Sequence, residues 1–254
     1  MINEYSFLNL VKYDYYNLVD ILLKEKNIDI NNYTFWKYKK DYYKDMRLSL
    51  SWDIYAKKTA LFLAVEKENY EIIELLLTDN NIDVNIINSL YDYYQNLGCS
   101  SYYKKTAFAL AVEKENYEII KLLLSDNRVD VNILNVYFEC DEEITVDKKT
   151  ALYLAIEKKN YEIIKLLLSN EKFDVNILNI RYLKEIPNDA NLEDEMIDLN
   201  GKVDIWRDGW EKDSWENKVK WNNKYQQTAL YFAIQLNDHE IIKMLLSNNK
   251  IDVN

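Results

Sequence analysis

The chain has 254 residues, 48% of them hydrophobic, with a formal net charge of −11 at pH 7 and a pI near 4.8. A chain of that length can bury a core, and its acidic balance opposes general binding to nucleic acid, whose phosphates demand a basic surface. No apolar run approaches the roughly 18 residues of a membrane helix, and Gly 3 and Pro 1 leave no flexible linker, so one soluble, cytoplasmic domain with no membrane partner is expected.

A worn unit over residues 5–31 opens the chain. Its Leu10, Val11, Tyr16, Leu18, Val19, Leu22 and Leu23, and its ending NIDIN, fall on the apolar frame of the segment that starts 54 residues later. Four full copies follow. They read KKTALFLAVEKENYEIIELLLTDNNIDVN (57–85), KKTAFALAVEKENYEIIKLLLSDNRVDVN (104–132), KKTALYLAIEKKNYEIIKLLLSNEKFDVN (148–176) and QQTALYFAIQLNDHEIIKMLLSNNKIDVN (226–254). Self-similarity at this scale predicts a solenoid, whose units cover each other's apolar faces. Insertions over 32–56, 86–103, 133–147 and 177–225 separate the units.

Each copy predicts two helices. Thr59 precedes the first as a cap, and Ala60, Leu61, Ala64 and Val65 fall on one side of it. Asn69 interrupts, tolerating a left-handed backbone and capping the second helix. Ile72, Ile73, Leu75, Leu76 and Leu77 make that helix apolar on most sides, and Asn80 and Asn81 end it in place of glycine. Alanine recurs at 60, 107, 151 and 229 and again at 64, 111, 155 and 233, where a larger side chain would push the helices apart.

The frame T-A-L-x-x-A-[VI], a short break, E-I-I-x-[LM]-L and D-V-N resembles the ankyrin repeat. That resemblance implies an all-α, ankyrin-type helical solenoid of five repeats with elongated hairpin loops, forming one domain over 1–254. The family's helix-start proline is alanine here, and its inter-helix glycine becomes Glu68, Glu115, Lys159 and Asn237. The resemblance also implies binding through hairpin tips and the first helices, which places Lys58, Glu66, Lys67, Lys105, Glu113, Lys114, Lys149, Glu157 and Lys158 on the working side. Such a stripe of alternating charge is expected to be a solvated face, leaving individuality to the inserted fingers.

Catalysis is not expected. A Ser or Cys nucleophile would have to use His239, the single histidine, which fills the slot of Tyr70, Tyr117 and Tyr161 in the other copies. Gly98, Gly201 and Gly209 stand alone, so no phosphate loop exists. Cys99 and Cys140 with one histidine cannot supply a structural zinc site, and Glu193, Asp194 and Glu195 lack the spacing of a calcium loop. No cofactor, metal or small-molecule substrate is expected. The two cysteines read as reduced thiols, with a bridge between adjacent fingers as the alternative.

The insertions hold the remaining signal. Trp206, Trp210, Trp215 and Trp221 cluster in the fourth, and the other two tryptophans, Trp36 and Trp52, lie in the first. Aromatic side chains anchor interfaces, yet the same residues could glue a satellite fold onto the stack. Tyr42 and Tyr43 in the first insertion and Tyr93 and Tyr94 in the second invite the same two readings. Residues 32–58 carry seven Lys or Arg against three Asp, and 133–149 two Lys against five acids, a gradient that could orient a partner. The expected function is a non-enzymatic scaffold that binds a protein partner through its fingers and concave face; the alternative is an adaptor subunit of a larger regulatory assembly. The polar composition of the last copy suggests a terminal cap.

Overall fold

A threonine hydroxyl starts the first helix of every full unit. Thr59, Thr106, Thr150 and Thr228 sit in extended backbone and accept from the backbone N–H three residues on, and an asparagine or aspartate, Asn69, Asn116, Asn160 or Asp238, does the same for the second helix. The computed structural model describes residues 4–25, 28–42, 50–94, 99–140, 143–185 and 223–252. The helix pairs are α1 Glu4–Lys12 and α2 Tyr16–Glu25, α3 Ala60–Glu66 and α4 Tyr70–Leu77, α5 Ala107–Glu113 and α6 Tyr117–Ser125, α7 Ala151–Glu157 and α8 Tyr161–Leu168, and α9 Ala229–Gln235 and α10 His239–Leu246.

First helices stack on first helices, α1 on α3 on α5 on α7 on α9, with α2 on α4 and α8 on α10 beside them, and one continuous apolar core runs through all five units. The two adjacent isoleucines of each second helix divide the work. Ile72, Ile119, Ile163 and Ile241 are all fully covered, whereas the same position in the first unit, Leu18, is 45% exposed. That position therefore packs on the preceding unit. Ile73, Ile120 and Ile164 are fully buried too, but the last unit's Ile242 is only half-buried, so this position packs on the following one.

The insertions overturn the all-α expectation. They form strands β1 Tyr33–Tyr42, β2 Leu50–Thr59, β3 Asn88–Tyr94, β4 Cys99–Lys105, β5 Asn135–Cys140, β6 Glu143–Lys149, β7 Asn179–Glu185 and β8 Asn223–Gln227. These make one eight-stranded antiparallel sheet in the order β1 to β8, pairing both within each hairpin and between successive hairpins. The arms are rich in Tyr, Trp, Phe, Ile and Val, which favour a pleated surface. Geometry completes the sheet: two strands spaced about 4.8 Å apart occupy nearly the 8–10 Å between packed helices, so stacking the helices brings each hairpin into register with the next. The fold is a helical stack with a β-sheet built from its loops.

Asparagines rivet neighbouring units together. Asn88, Asn135 and Asn179, all buried, open the outgoing strands and accept from the backbone N–H of Thr59, Thr106 and Thr150 at 2.7, 3.0 and 2.7 Å. At the other end of each unit, the asparagine of D-V-N (D-I-N in the first) spans to the next one: Asn31 bonds Asn81 and Asp83, Asn85 bonds Arg128 and Asp130, Asn132 bonds Lys172 and Asp174, and Asn176 bonds Lys250 and Asp252. Each closes two backbone groups that no helix or strand satisfies.

The left-handed residues are not where the sequence suggests. Positive φ among non-glycine residues falls on Asp14, Glu68, Glu115, Lys159 and Asn237, between the two helices, and not on Asn69 (φ −87°) or at Asn80 and Asn81. Two of these side chains reach the following unit's cap, Glu68 to Asn116 at 3.0 Å and Glu115 to Asn160 at 2.9 Å, and Asp14 reaches Asn69 in the same way. Lys114 adds a bond to Glu68 at 2.8 Å, and together these partners hold the Glu68 carboxyl below its ordinary value. A position that a glycine would fill without strain here gains an inter-unit link instead.

Candidate partner-binding surface

In the three middle units a lysine at or next to the end of the incoming strand meets the last residue of the first helix across the junction of sheet and stack. Lys58 next to the end of β2 pairs with Glu66 of α3 at 2.6 Å, Lys105 with Glu113 of α5, and Lys149 with Glu157 of α7 at 2.9 Å. Lys58 and Lys105 are buried, which corrects the expectation of a solvated stripe; of that set, Lys67, Lys114 and Lys158 are exposed. A buried lysine persists where its charge is paired and its stem covers apolar surface. The constant eight-residue spacing between Lys and Glu was present in three copies and is the signal that could have revealed the pairs.

Tyrosines from the strands interleave with these pairs. The Lys105 ammonium lies 3.8 Å from the Tyr103 ring centroid and 5.3 Å from that of Tyr137, and Lys149 lies 5.4 Å from Tyr137. The Tyr137 hydroxyl donates to Glu113. Burial, then the carboxylates of Glu66 and Glu113, push Tyr103 well above the usual tyrosine range, and burial and Glu113 do the same to Tyr137. Both hydroxyls stay protonated at any physiological pH. Burial lowers Lys105, with Glu113 opposing the fall.

The row changes character at the fifth unit, where Gln227 and Gln235 replace the lysine and glutamate. There it opens into a cleft of about 420 Å³ between the β6–β8 strands and helices α7 and α9. Tyr153 and Phe232 stack on its floor, with ring centroids 4.1 Å apart and an interplanar angle of 15°. On its wall Asp147 of β6 takes both arms of the Arg181 guanidinium from β7 at 2.6 Å, with the Lys149 ammonium 3.2 Å away. Burial would raise the Asp147 carboxyl, but Arg181 and Lys149 outweigh it and hold the group ionised below its ordinary range. Tyr225 is 45% exposed at the rim. The cleft offers an aromatic floor, amides and an anchored guanidinium, a set suited to holding a side chain and its backbone.

Of the sequence-derived candidates, Trp206, Trp210, Trp215, Trp221 and Tyr43 lie outside the described residues. Tyr42 ends β1 opposite Leu50, while Tyr93 and Tyr94 lie in β3 opposite Asp53 and Trp52. The register thus carries three predicted tyrosines on one sheet, away from the cleft in sequence and in strand order. Sequence reasoning missed the Arg181–Asp147 pair and the Tyr153–Phe232 stack, because the first joins two successive hairpins and the second two successive units.

Family models described as ankyrin repeats (three copies) match residues 51–135 and 85–179, and one described as ankyrin repeat matches 225–254. The chain belongs to the ankyrin repeat family. Ankyrin repeats are in general protein-interaction modules. No curated protein matches this ankyrin chain. Among the described residues, no group of His, Cys, Asp and Glu could hold a metal ion and no helix is long and apolar enough to cross a membrane.

Proposed function

We propose that this ankyrin chain is a non-enzymatic, cytoplasmic scaffold that grips a protein partner on its sheet side, with the cleft over Tyr153 and Phe232 seating one of the partner's side chains. The carrying observation is the interruption of the row: three units close the junction with Lys–Glu pairs and tyrosines, whereas the last replaces the pair by Gln227 and Gln235 beside an open aromatic floor. Stacked aromatics bury area at little entropic cost, and Arg181, already fixed by Asp147, would present its remaining donors without a further ordering penalty. The hairpin residues Tyr42, Tyr43, Tyr93 and Tyr94 and the tryptophans Trp206, Trp210, Trp215 and Trp221 extend the proposed contact surface.

Affinity capture from the native source with the intact chain identifies the partner, and titration of single variants tests the reading. Phe232→Ala is expected to weaken binding by about 2 kcal/mol or more, the size typical of a lost aromatic anchor. At least one of the four tryptophan-to-alanine variants should do the same with unchanged melting. Unaltered affinity in Phe232→Ala and Arg181→Ala would remove the cleft from the interface, and unaltered affinity with normal melting in all four tryptophan variants would remove the fourth insertion.

A further inference from the structure

At three of the four junctions a basic side chain reaches back to cap the preceding unit. In the third unit the Arg128 guanidinium donates to the carbonyl oxygens of Leu77 at 2.8 Å, Asp79 at 2.9 Å and Ile82 at 3.5 Å, at and just beyond the end of α4. Asp126 of its own unit holds it from the other side, accepting from Nε at 3.0 Å and from Nη2 at 2.6 Å. The fourth and fifth units place a lysine at the same position. Lys172 donates to the Asn127 carbonyl at 2.7 Å and Lys250 to that of Glu171. Each cation meets carbonyls that no helical N–H satisfies, at the negative end of a helix dipole.

The first junction breaks the rule. Its position is Asn81, and among the described residues no side chain of the second unit donates to a carbonyl at the end of α2. A pocket of about 230 Å³ lies there, walled by Leu22, Leu23, Ile28 and Ile30 and rimmed by Asp79 and Asn81. That is below the roughly 300 Å³ at which sites for drug-sized ligands begin, and it suits a single side chain. Leu23, Glu25 and Ile28 stand 54 residues before Leu77, Asp79 and Ile82, the three residues whose carbonyls take Arg128. Asp79 is in turn the equivalent of Asp126. Each accepts from the backbone N–H two residues on at 2.8 Å, but among the described residues no basic side chain hydrogen-bonds the Asp79 carboxylate. Lys24, the basic residue in the last turn of α2, is paired with Asp20 at 2.6 Å. The first junction therefore keeps the acceptors of the second without its guanidinium.

We propose that this pocket takes an arginine side chain of a partner protein, seated as Arg128 is seated one junction further on. The methylenes lie along the leucines and isoleucines of the wall, and the guanidinium meets the carbonyls at the end of α2 and the Asp79 carboxylate. Arginine is favoured over lysine by the acid beside it. The two units that use lysine carry Asn170 and Asn248 where the third has Asp126, whereas the second unit keeps Asp79. The net charge of −11 favours the approach of a basic segment. This site rests on the reading of the chain as a protein binder but not on the cleft, since it lies between the first and second units and the cleft between the fourth and fifth.

Titration of the intact, isotope-labelled chain with an acetylated, amidated Gly-Arg-Gly peptide tests this without a partner, so its result is independent of the affinity capture that tests the scaffold. Saturable amide shifts are expected at Leu23, Ile28, Asp79 and Asn81. The Gly-Lys-Gly peptide should bind more weakly, and the citrulline peptide, which keeps the shape and loses the charge, should produce no shifts. Asp79→Asn preserves the turn, because Asn170 and Asn248 accept the same backbone bond in their own units, and should weaken the arginine peptide about tenfold. Asn81→Arg supplies the guanidinium from the chain itself, and should raise the melting temperature and abolish the shifts. Absence of saturable shifts with the arginine peptide, equal binding of the lysine or citrulline peptide, unchanged affinity in Asp79→Asn, or shifts that persist in Asn81→Arg overturns the proposal.

Discussion

The helices of the interior units are near copies of one another, whereas the strands between them share almost nothing beyond an opening asparagine and a closing lysine or glutamine. Copied positions are the buried ones: Ile72, Ile119 and Ile163, or Leu76, Leu123 and Leu167, are within 1% of fully covered. The strands are free to vary because backbone pairing holds them together and helix spacing sets their pitch. Stability thus resides in the repeated half of the molecule and individuality in the half built from insertions. The boundary between the halves is not neutral, since Asn88, Asn135 and Asn179 and the Lys–Glu pairs tie each hairpin to its helix.

The largest effect should come from the copied half. Leu123→Ala empties a site that is 1% exposed between two neighbouring units and should lower stability by about 2 to 5 kcal/mol in chemical denaturation. Ala111→Leu, overfilling a fully buried helix contact, should cost about 1 to 3 kcal/mol. A loss well below half of these ranges would mean that the helices do not carry the stack.

The joint between the halves comes next. Asn135→Ala leaves the Thr106 N–H and the Ile133 and Lys149 carbonyls without their buried partner, for an expected cost of about 1 to 3 kcal/mol. Hydrogen exchange should show the β5–β6 hairpin opening before α5 and α6 do. Simultaneous loss of protection in strands and helices would show that hairpin and helices unfold as one cooperative unit.

Alkaline pH probes the same joint without mutation. Tyr153 is pushed up to about 12, first by burial and then by Glu157, and Tyr103 and Tyr137 are raised further. With the folded values above the unfolded value of about 10, the native state keeps protons that the unfolded state releases, so stability is full below pH 10 and falls as pH rises beyond it. For Tyr153 the loss is complete near pH 12. Tyr137→Phe should cost about 0.5 to 1.5 kcal/mol at neutral pH through its lost bond to Glu113, and show a shallower alkaline decline than wild type. Parallel declines in the two proteins would dissociate Tyr137 from the effect.

Much of the stack was legible because four copies amplify one 3.6-residue pattern. The threonine and asparagine caps, the small alanines and the buried Ile72, Ile73 and Leu76 all stand where that pattern puts them. The sheet was not legible in the same way. No single insertion alternates cleanly enough to declare a strand, and the pairing of β2 with β3 depends on how far apart α3 and α5 pack, a distance that no local pattern contains. The cleft was hidden for the same reason, since Arg181, Asp147, Tyr153 and Phe232 come from two units and two hairpins. Lys58 and Lys105 were misjudged because the recurring eight-residue spacing to Glu66 and Glu113 spans a strand end and a whole helix, and the helical pattern alone does not bring its two ends together.

The left-handed turns separate the two halves on the finest scale. Glu68 and Lys159 occupy equivalent positions with φ of 56° and 54°, a region that disfavours any residue bearing a Cβ by roughly 1 to 2 kcal/mol. Glu68 recovers part of that through Lys114 and Asn116 of the next unit, whereas the Lys159 ammonium makes no hydrogen bond among the described residues and only attracts Asp238 at longer range. Lys159→Gly should therefore raise stability by about 1 kcal/mol after glycine's own entropy cost. Glu68→Gly relieves the same strain but severs two inter-unit bonds, and should be neutral or mildly destabilising. Thermal melts of the two variants decide the matter, and equal stabilisation of both would mean that the carboxylate at 68 contributes nothing to holding adjacent units together.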